Sequence, residues 1–327
     1  DRAASESESE SSSSESSSSS STTTTTSKGW IEVHFGDGCG GDGGGSPFGA
    51  YRGVTLRGLE EYVLPNVTGG PVSLVTSTDC DLPSDAGKRY EERRLLDHPK
   101  IDRWYTTNPH GDHPKLKAIP IGVRDRRPWR DLTLSSEETT KRSRFVLCCC
   151  MSLLGPGDDH FDSLDPDIQR LFRNETLALD VAEASHFKRT HRGFHGDYFT
   201  RSRRRLIVDY LEHHLRLPGC GRTRPAPTLD PQRYAAAFAD ADFVLSPRGK
   251  GRACYRDFEA IIAGAIPIVD DDPSPAVADL YRDMPVFRVN DWRHNVTEDK
   301  LRSFLDWAIA HADVRKAYLP YWLAQLS

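Results

Sequence analysis

Arg248, Lys250, Arg252 and Arg256 place four cations within nine residues, interleaved with Gly249 and Gly251 and followed by Glu259. Cations on a glycine loop are the chemistry of anion binding. Glycines let the backbone approach a ligand closely, and guanidinium and ammonium groups supply formal charge. The flanks suit that reading. Residues 242–269 run as apolar strand, basic loop, helix and apolar strand, so the loop falls at the carboxyl end of a strand and the start of a helix. A helix N-terminus adds unpaired N–H groups and partial positive charge, which favours phosphate. On a helix over 252–263, Arg252, Arg256 and Glu259 fall within about 60° of one another, opposite Cys254, Phe258, Ile261 and Ile262. The apolar side is expected on the sheet and the charged side toward a crevice. The loop is neither a Walker loop nor a dinucleotide fingerprint, since it lacks Gly-Lys-Ser/Thr and G-x-G-x-x-G. The plainer alternative is an exposed basic loop carrying an Arg256–Glu259 surface pair.

Other residues compete for attention. Asp79-Cys-Asp81 and Asp270-Asp-Asp272 each follow an apolar stretch and suggest a metal-dependent alternative, with carboxylates holding Mg²⁺ or Mn²⁺ against donor phosphates. Short acidic turns after strands are common, and a cationic phosphate site makes a metal redundant, so no metal ligand is assigned. Asp79, Asp81, His110, Asp112 and His113 are candidates for a general base; Asp79 is placed best, just past the apolar run 71–77. His186, His191 and His195 lie in a basic stretch and are read as solvated. Arg201, Arg203, Arg204 and Arg205 are read as the solvated face of an amphipathic helix, Arg201 to Leu215, whose apolar stripe is Leu206, Tyr210, Leu211 and Leu215.

The elements that must hold these groups alternate. Strands are expected at 71–77, 101–106, 117–121, 142–151, 243–246, 265–269 and 286–289. Helices are expected at 91–96, 164–180 in part, 201–215, 231–241, 252–263, 298–311 and 313–325. Pro231 suits a first helical turn, and Thr297 suits an N-cap. Such alternation implies α/β architecture, parallel sheets with helices on both faces. The expected domains are a tail or linker over 1–45, an N-terminal lobe over 46–135 and a C-terminal lobe over 136–327, with 124–138 as hinge. Folded sequence is expected to begin near Tyr51. Residues 1–27 are nearly all Ser, Thr and Glu, too polar to offset their ordering entropy, and the Gly36 to Gly45 run reads as linker.

Composition narrows the class. The chain has 327 residues, 37% hydrophobic and 28% charged, with net charge −5, which argues against a nucleic-acid partner. No run approaches the roughly 18–20 apolar residues of a membrane span. An N-terminal anchor outside this sequence is the expected route to a membrane. Seven cysteines include no CxxC pair, so structural zinc is not expected. Cys148, Cys149 and Cys150 read most simply as small buried apolar residues, with disulfides left open. Asn66, Asn174 and Asn295 head N-x-Ser/Thr sequons and favour the secretory pathway.

Three blocks add a resemblance. Phe243-Val-Leu-Ser-Pro-Arg-Gly249, Arg256-Asp-Phe-Glu259 and Gly264-Ala-Ile-Pro-Ile-Val269 resemble the signature of exostosin-like glycosyltransferases, and are similar to ribitol xylosyltransferase-type and algal or plant exostosin-like proteins. Trp104-Tyr-Thr-Thr-Asn108 with His113 to Gly122, and Asp283-Met-Pro-Val286 with Val289-Asn-Asp-Trp292, extend the likeness over about residues 72–310. The resemblance implies a GT-B-like enzyme of two Rossmann-like lobes, the N-terminal one short. It would transfer a sugar from a nucleotide-sugar donor, foremost a UDP-sugar, to a glycan or glycoprotein hydroxyl, in the Golgi or secretory lumen. It implies Arg248 and Arg256 at the donor diphosphate and Glu259 at the ribose. Gly249, Lys250, Gly251 and Arg252 complete the donor loop, and Asp79 is the expected base. No cofactor beyond the donor is expected, and no metal. A catalytically silent nucleotide-sugar or glycan-binding module and a metal-dependent GT-A-type transferase remain as alternatives.

Overall fold

The computed structural model describes residues 30–34, 59–77, 88–109, 112–124, 128–129, 142–148, 196–215, 230–249, 252–272 and 274–326. These residues form two four-stranded, wholly parallel sheets with helices packed on them. The first orders β1 (Trp30–His34), β2 (Val72–Ser77), β3 (Ile101–Thr106) and β4 (Leu116–Ala118) side by side. In register, Leu74 faces Trp104 and Trp104 faces Leu116, so one apolar row crosses three strands. Leu95 and Leu96 of α1 (Lys88–Asp97), with Leu59 and Leu64, close over that row. Buried Trp104 donates its indole N–H to Thr76 Oγ1 at 2.9 Å, so its polar edge is satisfied inside the core.

The second sheet orders β5 (Arg144–Leu147), β6 (Ala241–Leu245), β7 (Ile266–Asp270) and β8 (Phe287–Val289). Its strands read as nearly continuous apolar runs because both faces are covered. On one face Val146, Phe243, Leu245, Ile266 and Ile268 meet α2 (Gly196–Leu215), Trp292 of α6 (Trp292–Asn295) and α7 (Glu298–His311). On the other, Leu147, Val244 and Val269 meet three helices: α3 (Pro231–Ala239), α4 (Tyr255–Ile262) and α5 (Pro275–Tyr281). Helices on both faces of this sheet follow the sequence expectation. A final helix, α8 (Leu319–Leu326), comes after a 3₁₀ turn, Val314–Ala317, so the helix expected over 313–325 is divided.

Pro267 stands inside the central strand β7, where a missing N–H would ordinarily break a ladder. Ile268 O accepts from Ser246 N–H on the β6 side, and Val289 O accepts from Asp271 N–H on the β8 side. The odd-numbered groups of β7 therefore point to β8. That ladder begins only at Ile268, so Pro267 gives up no strand partner.

Two expectations are corrected. The folded chain does not begin near Tyr51: Trp30–His34 is a parallel edge strand on β2, within the stretch expected to be tail or linker. Helix α4 begins at Tyr255 rather than Arg252, because Cys254 is extended and Asp257 folds its carboxylate back onto the Cys254 N–H at 2.9 Å. Cys148 is buried in the apolar core, as expected, and it is also disulfide-bonded, which the sequence leaves open, with its partner outside the described residues. The helix expected at 164–180 also lies outside the described residues. Among the described residues no helix is long and apolar enough to cross a membrane.

Helix α4 stops at a left-handed Gly264, φ 76°, where Gly264 N–H bonds Ile261 O and Ala265 N–H bonds Ala260 O. A Cβ there would lie 2.7 Å from Arg142 Nη2, which donates to the Gly264 carbonyl at 2.6 Å. Gly264→Ala is expected to cost about 1–2 kcal/mol from the left-handed backbone alone, read as a lower urea midpoint at unchanged slope.

Candidate functional site

The carboxyl ends of β6 and β7 lie side by side, and the basic loop leaves from the first of them. Four donors converge on Asp270, the last residue of β7. Arg203 of α2 donates twice, at 2.9 and 2.5 Å, Trp292 donates its indole N–H at 2.7 Å, and Arg248 donates its backbone N–H at 2.6 Å. Burial alone would raise the Asp270 pKa. The Arg203 charge and these hydrogen bonds outweigh it and hold the carboxyl below its ordinary range. Asp270 is therefore the ionised post to which the loop backbone is tied.

A second carboxylate fixes the other end of the loop. Asp257, in the first turn of α4, accepts from Ser246 Oγ at 2.6 Å, Tyr281 Oη at 2.7 Å and the Cys254 N–H. Burial raises its pKa and pushes the neighbouring Cys254 thiol up to about 12, so that thiol is not a nucleophile at neutral pH. From the first lobe, buried Asn108 accepts the Ala253 N–H at 2.9 Å. The loop is thus held from β7, from α4 and from the segment after β3.

The expected site residues divide as follows. Arg248 is partly exposed at the end of β6, with its guanidinium 3.8 Å from Asp272. Gly249 is buried beside it. Arg252 lies in the loop rather than on the helix, and its guanidinium pairs with Asp272, which also accepts the Ser274 N–H at 2.7 Å. Arg256 and Glu259 share one side of α4, three residues apart. Burial opposes the Arg256 charge, but Cys254, Tyr234, Asp257 and Glu259 around it keep its pKa above the ordinary value. Glu259 is buried, which raises its pKa. It accepts Tyr234 Oη at 2.8 Å and the Arg124 N–H at 3.2 Å. Glu259 does not stand on an open charged face; it joins α4 to the segment that follows β4. Asp79, Asp81, His110, Lys250 and Gly251 lie outside the described residues, as do His186, His191 and His195.

Two base candidates are elsewhere. His113 approaches Asp97 at the end of α1, 3.3 Å away, and Asp112 precedes it. Both belong to the approach to β4, at the amino edge of the first sheet, away from the edge where Asn108 meets the loop.

The acidic run 270–272 is paired with arginines throughout: Asp270 with Arg203, Asp271 with Arg288 and Asp272 with Arg252. Arg203 and Arg204 correct the reading of a solvated basic face. Arg203 is buried on Asp270, Arg204 reaches Gly249, and Arg205 pairs with Asp209 at 2.8 Å. The missed signal is spacing: Arg203, Ile207 and Leu211 recur every fourth residue on the buried stripe of α2. In the sequence Asp270 stands out only as part of an acidic run, Asn108 and Trp292 only in the family blocks and Tyr234 not at all; the structure brings Asp270, Trp292 and Asn108 to the loop and Tyr234 to Glu259.

Fold and site together define an α/β protein with an arginine-rich loop at the carboxyl edge of a parallel sheet, the position where such folds bind ligands. Residues 186–300, about a third of the chain, match the family described as the RXYLT1 C-terminal domain. That agrees with the ribitol xylosyltransferase-type resemblance carried by the motifs, and it points to a glycosyltransferase. The match contains α2, the loop, Asp270 and Trp292. A comparison with curated proteins returns no match.

Asp270→Asn is expected to destabilise the fold by about 3–5 kcal/mol, because it leaves the Arg203 charge buried without its counter-charge. The folded pKa of Asp270 is depressed, so its contribution is present above the unfolded value of about 3.9 and is lost as pH falls through the folded one. Thermal unfolding from pH 7 to pH 3 should show the wild-type advantage over the variant shrinking toward acid.

Proposed function

We propose that this chain is a glycosyltransferase that moves a sugar from a nucleotide-sugar donor, foremost a UDP-sugar, to a hydroxyl of a glycan or glycoprotein. The observation that carries the reading is the loop after β6. Its backbone is tied to Asp270 and its cations Arg248, Arg252 and Arg256 stand around the N-terminus of α4, within the matched segment. In this reading the donor diphosphate sits over the loop. Arg248 and Arg256, assisted by Lys250 and the helix N-terminus, stabilise charge that develops as the sugar–phosphate bond breaks. Donors fixed in advance need no rearrangement at that moment. Gly249, Gly251 and Arg252 shape the loop, and Glu259 is assigned to the nucleoside ribose on the resemblance alone, since its carboxylate is buried on Tyr234 Oη and the Arg124 N–H. The first lobe supplies the acceptor side of a GT-B-like pair, with Asp79, two residues past β2, as general base.

Transfer without metal is part of the proposal. Its support is that each carboxylate of the 270–272 run is already engaged by a guanidinium, which leaves that motif poorly suited to hold a divalent cation. A Golgi or other secretory lumen is proposed as the compartment. The Cys148 disulfide supports it, because such bonds persist in oxidising surroundings, and so does the exposed sequon asparagine Asn66.

Thermal-shift screening against UDP-, GDP- and CMP-sugars is expected to raise the unfolding temperature with one nucleotide series, since a ligand of the native state stabilises it by mass action. With that donor, Arg256→Ala should lower transfer by about 10²–10³-fold, and excess EDTA should leave wild-type transfer unchanged. Near-wild-type transfer by the variant would sink the assignment of Arg256. Donor binding without turnover would instead favour a binding module.

A further inference from the structure

We infer that Arg204, on α2, is a further binding residue for the diphosphate, and that Arg203 is the positioning residue that brings it there. The inference rests on the reading of the loop after β6 as a diphosphate site. Gly249 is buried, and a Cβ built on it would lie 2.7 Å from Arg204 Nη2 and 3.9 Å from its Cζ. The guanidinium therefore occupies the space that any larger residue at position 249 would fill. Gly249 is not among the positive-φ glycines, so what its missing side chain supplies here is room for this contact rather than backbone freedom.

The backbone on both sides of this contact is held by the neighbouring residues. Arg203, one residue earlier, makes two hydrogen bonds to Asp270, and Asp270 holds the backbone N–H of Arg248, one residue before Gly249. The adjacent pair on the helix and the adjacent pair in the loop are thus registered through one carboxylate. Leu206, Ile207 and Leu211 bury the same helix against the sheet and set its rotation. A guanidinium is a rigid fork of donors matched to paired phosphate oxygens, which a solvated surface charge would not require. Two elements far apart in sequence, α2 and the loop, therefore supply cations to one anion.

The test uses the full chain, with inorganic pyrophosphate as a probe independent of the nucleoside. Calorimetric titration of wild type, Arg204→Gln and Arg256→Ala is the first arm. Arg204→Gln is expected to bind pyrophosphate about 10–100-fold more weakly, and Arg204→Lys, which keeps the charge and loses the fork, to fall between it and wild type. Wild-type affinity in Arg204→Gln alongside lost affinity in Arg256→Ala would overturn the inference and leave the site standing. No pyrophosphate binding by wild type would overturn both. A purely structural Arg204 would lower the unfolding temperature of Arg204→Gln without changing the affinity of its folded fraction, and that result also counts against the inference. If the variant does not fold, arginine-selective dicarbonyl labelling of wild type decides. Pyrophosphate should slow modification of Arg204 and leave the exposed Arg302 unaffected; equal labelling of Arg204 with and without pyrophosphate would overturn the inference.

Discussion

The Asp270 carboxylate is the point on which the second lobe is organised. It closes a central strand, neutralises a buried arginine from a helix on one face of the sheet, receives an indole from α6 after β8, and holds the first backbone amide of the basic loop. A buried acid with fewer donors would protonate, and a buried Arg203 without the acid would carry an uncompensated charge. Each group is tolerable only because the others are present. The start of the loop is held by that arrangement through the Arg248 amide.

The same economy of partners holds at Asp257, where one carboxylate joins the end of β6, the start of α4 and Tyr281 of α5. Between these two acids the loop has little freedom at its ends. Arg248 and Arg256 thus stand on two different supports, one keyed to the sheet edge and one to the helix. That division explains how a short segment can present cations from two directions.

Much of this was legible in the sequence, and the failures have definite causes. Strand 101–106 and helix 298–311 were read to the residue, because apolar periodicity and a capping Thr297 agree there. Trp30–His34 was passed over because five residues between a Ser/Thr tract and a glycine run carry almost no pattern, and their partner lies some 40 residues on. Arg252 was placed on the helix because periodicity ignores caps, whereas the Asp257 side chain starts the helix three residues later. By sequence alone Arg203 and Asp270 stand apart, one on a solvated face and one in an acidic turn. Charge type alone cannot reveal a pair 67 positions apart; only the i, i+4 alignment of Arg203 with Ile207 hinted that this arginine points inward.

Asn108 joins the segment after β3 to the approach to α4. Its side-chain oxygen, fully buried, is what the Ala253 amide bonds to, and Ala253 lies between the loop and the first turn of α4. Any swing that carries the segment after β3 away from α4 must strip that amide of its acceptor and admit water in its place. Opening of that contact and loss of the Ala253 hydrogen bond are then one event, seen from two ends. The exchange rate of a single backbone proton, at Ala253, becomes a gauge of how often the segment after β3 parts from the start of α4.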